Sequence, residues 1–208
     1  MASRFVSKGI NHLGPEIVSK YILECYDAHK LPIVSVGSGI GEIEHIVKTK
    51  NGNMEIICVD PDPTSFSEDR YVQTEPSYNY VSSLIKSNPG IVGNCIVLLN
   101  WCLPNDSTYD HDAIIELQPA AVVTVYEKFY GGNGAAGGQK FHTWLDSTQT
   151  GTNTSYSMVT TTTIEDPRGS DIRVSWIRQN STEIPDVHLP QLVKRQMAYN
   201  PRDECAVM

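Results

Sequence analysis

Ile33-Val34-Ser35-Val36-Gly37-Ser38-Gly39-Ile40-Gly41-Glu42, with Glu55-Ile56-Ile57-Cys58-Val59-Asp60 downstream, is the stretch on which the fold turns. Ile33 to Val36 is a short run rich in β-branched residues, bounded by Pro32 and Gly37, as a strand requires. Glu42 to Lys48 carries Ile43, Ile46 and Val47 on one helical face. Asn51-Gly52-Asn53 makes a turn, and Glu55 to Asp60 is an almost continuously apolar strand closed by an acid. The unit is strand, glycine turn, helix, strand.

Each glycine of the turn has a steric task. Gly37 permits a tight exit from the first strand, Gly39 lets a ligand lie against bare backbone, and Gly41 lets the helix start close to the sheet. Asp60, roughly twenty residues on at the next strand end, is placed to accept hydrogen bonds from both hydroxyls of a ribose. The spacing is G-x-G-x-G with Glu42 in the sixth position, not the G-x-G-x-x-G of dinucleotide-binding loops. An acid at that helix start would repel a pyrophosphate, whereas it suits a ligand carrying an ammonium and a sulfonium. The loop lacks the Gly-Lys-Ser/Thr ending of a nucleoside-triphosphate loop, and Ser38 lacks the G-x-S-x-G context of a hydrolase nucleophile.

Val34-Ser35-Val36-Gly37-Ser38-Gly39-Ile40-Gly41-Glu42 and Ile57-Cys58-Val59-Asp60 resemble motifs I and II of the class I S-adenosylmethionine-dependent methyltransferases. The order of helices and strands resembles that family from about residue 14 to residue 180. The resemblance implies a methyltransferase using S-adenosyl-L-methionine. Gly37, Gly39 and Gly41 would lie beneath the methionine part and Asp60 would hold the ribose, with Ser38 and Glu42 as further cofactor-binding residues. Where the family's fourth motif falls, the chain has Asn100-Trp101-Cys102-Leu103-Pro104. It has no Pro-Pro pair there, so methylation of base amino groups is not supported. Asn100 is placed to accept from the cofactor's ammonium or from the substrate, with Trp101 as a wall, or else to cap the segment from Asp106 onward. Methyl transfer from a sulfonium needs an aligned nucleophile more than elaborate catalysis. If a base is used, Asn100 and Glu127 are the candidates, with Tyr130 and His142 in the same neighbourhood. Gln73, Thr74 and Glu75 lie where adenine contacts are expected, but none stands out. The atypical fourth motif and the short third-strand region keep open a catalytically inactive, methyltransferase-like binding or assembly module. A nicotinamide-dependent oxidoreductase is disfavoured by the loop spacing. The methyl acceptor stays open among protein, RNA and small molecule.

The remaining pattern continues the alternation. Helices are expected from Gly14 to Lys30, through Tyr80 to Ile85, from Ala113 to Leu117 and from Gln139 to Leu145, with strands at Cys95 to Leu99 and Ala120 to Tyr126. A further strand is expected near Arg70-Tyr71-Val72. Tyr156 to Ile164 and Ile172 to Arg178 read as a closing antiparallel hairpin. The expected class is α/β: a doubly wound, mostly parallel sheet with helices on both faces and a C-terminal antiparallel hairpin. Residues 1–180 form the Rossmann-like cofactor-binding domain, and 181–208 a polar tail.

A net charge of −8 on 208 residues gives no overall positive field to attract nucleic-acid phosphates or acidic membranes. The five cysteines lack CxxC spacing and read as core thiols in a reducing, cytoplasmic setting. No signal or transmembrane stretch is indicated. Asp110-His111-Asp112 are adjacent residues that do not converge on one ion, so no metal is expected. Cys205-Ala206-Val207-Met208 fits a prenylation pattern, which would give weak membrane attachment.

Overall fold

The computed structural model describes residues 14–61, 76–100, 108–127, 136–165 and 171–180. Helix α1 (Gly14–His29) buries Val18, Tyr21, Ile22 and Cys25 along one stripe. Strand β1 (Ile33–Val36) is buried throughout, α2 (Glu42–Lys50) turns Ile43 and Val47 inward, and β2 (Ile56–Val59) completes the unit. There follow α3 (Val81–Ser87), a 3-10 turn (Pro89–Ile91), β3 (Ile96–Asn100), α4 (Tyr109–Leu117), β4 (Ala121–Glu127), α5 (Gln139–Thr150), β5 (Tyr156–Glu165) and β6 (Asp171–Gln179).

The six strands form one sheet in the order β2-β1-β3-β4-β6-β5. The first four run parallel, and β6 lies antiparallel between β4 and β5. The expected α/β class and C-terminal hairpin are therefore what the chain adopts. Side-chain alternation splits the core into two layers. Val34, Val36, Val97, Leu99 and Val122 face α3, α4 and α5, meeting Leu84, Ile114, Leu117, Phe141 and Leu145. Ile33, Ile96, Leu98, Val123 and Trp176 face α1 and α2, meeting Val18, Ile22, Ile43 and Val47. Each large side chain so buried contributes about 1.5–3 kcal/mol over exposure. Cys25, Cys58 and Cys95 are free, buried thiols. Burial raises all three, Cys58 and Cys95 to about 12, so they are core residues and not nucleophiles.

Two helices exceed their expected bounds. α4 begins at Tyr109 and not at Ala113, because the Thr108 hydroxyl donates to the Asp112 carboxylate at its start and Asp110 is buried. α5 continues past Leu145 to Thr150 through a polar run. The hydroxyls of Ser147, Thr148 and Thr150 bond back to the carbonyls of Trp144, Leu145 and Asp146. Gly151, left-handed at φ +73°, caps that helix. The expected strand near residues 70–72, the hairpin turn at 166–170, and the tail at 181–208 with Cys205 lie outside the described residues. Beside β2, Val59 makes an isolated parallel bridge with Tyr78. Among the described residues no helix is long and apolar enough to cross a membrane.

Candidate functional site

The chain leaves β1 towards β2 and leaves β3 towards β4, so the winding direction reverses between β1 and β3. In open α/β sheets the crevice outside the carboxyl ends at such a reversal receives ligands. Gly37 stands at the end of β1, Asp60 at the end of β2 and Asn100 at the end of β3.

The loop after β1 is held from one side and open on the other. The Val59 carbonyl accepts the Gly37 N–H at 2.8 Å, and the Ser38 carbonyl accepts the Gly41 N–H at 3.0 Å. Gly37, Gly39 and Gly41 all have left-handed backbones, with φ of 71°, 57° and 70°. Only glycine adopts that region without penalty, so the residue type is dictated by the turn. A Cβ on Gly39 would meet nothing within 4 Å, whereas one on Gly37 would come to 3.7 Å from Cε1 of Tyr109. Among the described residues nothing covers the bare backbone of Gly39.

Asp60 is 5% exposed, and its Oδ2 accepts the Gly39 N–H at 2.9 Å. The acid and the loop are joined directly, and the Asp60 N–H donates to the Tyr78 carbonyl at 3.1 Å. A carboxylate offers about four lone-pair sites, of which the Gly39 N–H takes one. Glu42 is exposed in the first turn of α2. Ser38 lies half-buried within the loop, and Asn100 is half-buried at the end of β3. Asn100 Oδ1 is buried with no hydrogen-bond partner among the described residues. Trp101 and Tyr130 lie outside the described residues.

The outer candidates divide. Asn100 pairs with Val125, so Glu127 stands two residues further out along β4, half-exposed. His142 is committed elsewhere: its Nε2 lies 3.0 Å from the Ala136 carbonyl oxygen and its ring packs edge-on to Tyr126. Asp110, 1% exposed, accepts the Gly138 N–H at 2.8 Å and the His111 N–H at 2.7 Å. Burial raises its carboxyl, against those bonds. This pair ties the first turn of α4 to the segment that opens α5. Asp112 points instead to Thr108, whose hydroxyl bond lowers its carboxyl.

Three residues escaped the sequence reading. Tyr109 lies against Gly37 and its hydroxyl donates to the Val59 carbonyl at 3.4 Å, walling the crevice from α4. Tyr78 holds the Asp60 backbone. Glu44, one helical position beyond Ile43, is 2% exposed and hydrogen-bonded by Ser35. The signal for Glu44 was present: it stands three residues before Val47, on the buried stripe of α2.

No protein-family model matches the chain, and no curated protein matches it in sequence. Solved structures do. Magnesium protoporphyrin IX methyltransferase from Synechocystis PCC 6803, with bound S-adenosylhomocysteine, matches with a TM-score of 0.54 at 12% identity, over 85% of this chain and 88% of that one. The methyltransferase domain of the bacterial protein CtHen1-C matches with a TM-score of 0.52 at 14% identity, over 81% and 98%. The 1,6-didemethyltoxoflavin-N1-methyltransferase of Burkholderia thailandensis, also with S-adenosylhomocysteine, gives 0.51 at 13% identity, over 86% of each chain. At these identities the likeness is one of fold.

Proposed function

We propose that this chain binds S-adenosyl-L-methionine in the crevice between β1 and β3 and transfers its methyl group. The observation that carries the reading is Gly39: a left-handed glycine open to space, its N–H held by the buried Asp60 that follows the next strand. The fold shared with methyltransferases that hold S-adenosylhomocysteine supports it.

When bound, the cofactor supplies a sulfonium whose methyl carbon is attacked by an acceptor lone pair as the carbon–sulfur bond breaks. The chain's own residues bind and orient. The Gly37 to Gly41 backbone admits the ligand closely, Asp60 accepts from ribose hydroxyls, and Glu42 offers a negative field to the cationic end. Asn100 Oδ1 gains the donor it lacks if it receives the ammonium or the acceptor's own N–H or O–H. Alignment of that acceptor is the main catalytic contribution, and Glu127 is the candidate to take a proton from it. Calorimetric titration with S-adenosylhomocysteine tests the binding step, and an absence of heat at millimolar ligand would sink the reading. Binding without labelled methyl product from any cell-extract fraction would favour the catalytically inactive module, for which the departure at Asn100-Trp101 speaks.

A further inference from the structure

The first turn of α2 buries an acid that the cofactor reading leaves without a task. Glu44 is 2% exposed, and its carboxylate accepts a hydrogen bond from the hydroxyl of Ser35, itself 0% exposed. Ser35 stands two residues before Gly37, and Glu44 three after Gly41. The bond therefore joins the last turn-out of β1 to the start of α2, across the base of the whole glycine loop. A loop with three left-handed glycines has more backbone freedom to lose than any other, and pinning its ends removes much of that freedom in advance.

We propose that Glu44 is a positioning residue: through Ser35, its carboxyl holds the ends of Gly37 to Gly41 at the spacing in which Gly39 donates to Asp60 and meets the cofactor. The inference rests on the reading that S-adenosylmethionine binds at that loop.

The environment sets the working charge state. Burial favours the protonated carboxyl and raises Glu44 above 4.5, while the Ser35 bond opposes this in part. Glu42 on the same helix and Asp60 beyond β2 add like charge in the raising direction. Cys58 faces it from β2, its thiol pushed up to about 12 by burial and then by Glu44, with Lys48 of α2 acting on Cys58 in the opposite sense. α1 packs the same layer with Val18, Ile22 and Cys25, the last a thiol raised by burial. The Ser35 hydroxyl can donate to either form of the carboxyl, so the staple does not depend on which form burial selects.

The test is calorimetric titration of S-adenosylhomocysteine into the full chain, wild type, Glu44→Gln and Glu44→Ala, at one pH. Glu44→Gln keeps the acceptor for Ser35 without a proton to lose. It should bind S-adenosylhomocysteine as wild type does. Glu44→Ala should bind about tenfold more weakly than wild type, the loss of roughly one net hydrogen bond. Amide hydrogen exchange without ligand should show faster exchange at residues 37–43 in Glu44→Ala and not in Glu44→Gln. Wild-type-like affinity in Glu44→Ala, or a loss in Glu44→Gln as large as in Glu44→Ala, overturns the proposal. If wild type takes up no S-adenosylhomocysteine, the cofactor reading fails, and unchanged exchange at residues 37–43 in Glu44→Ala would overturn the staple independently.

Discussion

Replacing Gly39 by valine combines two effects, and the fold contains a residue that separates them. At Gly39, φ is +57°, and a side chain would enter open space. At Gly151, the cap of α5, φ is +73°, and a side chain would again meet nothing within 4 Å. The two positions impose the same kind of backbone strain with no added clash, so each substitution should cost about 1–3 kcal/mol of stability. For a chain of this length that corresponds to roughly 2–4 °C of melting temperature per kcal/mol. α5 starts at the carboxyl edge of the sheet and Gly151 ends it on the far side, away from the crevice. Gly151→Val should therefore bind S-adenosylhomocysteine like wild type. Gly39→Val should lose at least about 1.4 kcal/mol of binding, tenfold, because the isopropyl group fills the space the ligand needs. Thermal unfolding and calorimetry on both variants read the two effects separately. Equal affinity in the two variants would refute the claim that ligand lies against Gly39.

Asp60→Ala should weaken S-adenosylmethionine binding by about 1–3 kcal/mol while the chain still folds, since ribose hydroxyls lose a charged acceptor; unchanged calorimetric affinity would remove Asp60 from the site. Asp110→Ala orphans the N–H groups of Gly138 and His111, the former on a buried residue, and should cost roughly 2–4 kcal/mol in urea unfolding with an unchanged slope. Asp110→Asn should recover part of that loss, and an Ala variant as stable as wild type would deny the tie between α4 and α5. Glu44 has a folded pKa raised above its ordinary 4.5, so its neutral form is favoured in the fold and its contribution is lost as pH climbs from 4.5 through the raised value. The stability of Glu44→Gln relative to wild type should accordingly increase between pH 5 and pH 8, and parallel melting curves across that range would contradict the burial argument.

Local chemistry made the first β-α-β unit legible. Pro32, the three glycines and Asn51-Gly52 punctuate it, and its apolar runs have strand or helix spacing and no other. The hairpin was legible for the same reason. The placement of β6 between β4 and β5 was not, because inter-strand order depends on pairings such as Val123 with Trp176 that no local pattern encodes. The bounds of α4 and α5 were missed where side-chain hydroxyls, from Thr108 and from Ser147 to Thr150, stabilise turns that propensity alone disfavours. Within the site, Gly39 and Asp60 could be paired from sequence because their strand ends are neighbours by topology. Tyr109 could not, since its contact with Gly37 joins distant segments. Glu44 reads as a surface charge by type, and only the helical face shared with Ile43 and Val47 betrays its burial.

Under the proposed function, one crevice floored by Gly39 and bounded by Asp60 and Asn100 receives the cofactor. Backbone amide chemical shifts recorded while S-adenosylhomocysteine is added test it residue by residue. The largest changes should fall at Gly37, Ser38, Gly39, Gly41, Asp60 and Asn100, with Gly93 and Gly151 at the opposite edge unmoved. Saturating ligand that leaves Gly39 and Asp60 unperturbed, or perturbs only residues away from the carboxyl ends of β1, β2 and β3, would contradict it.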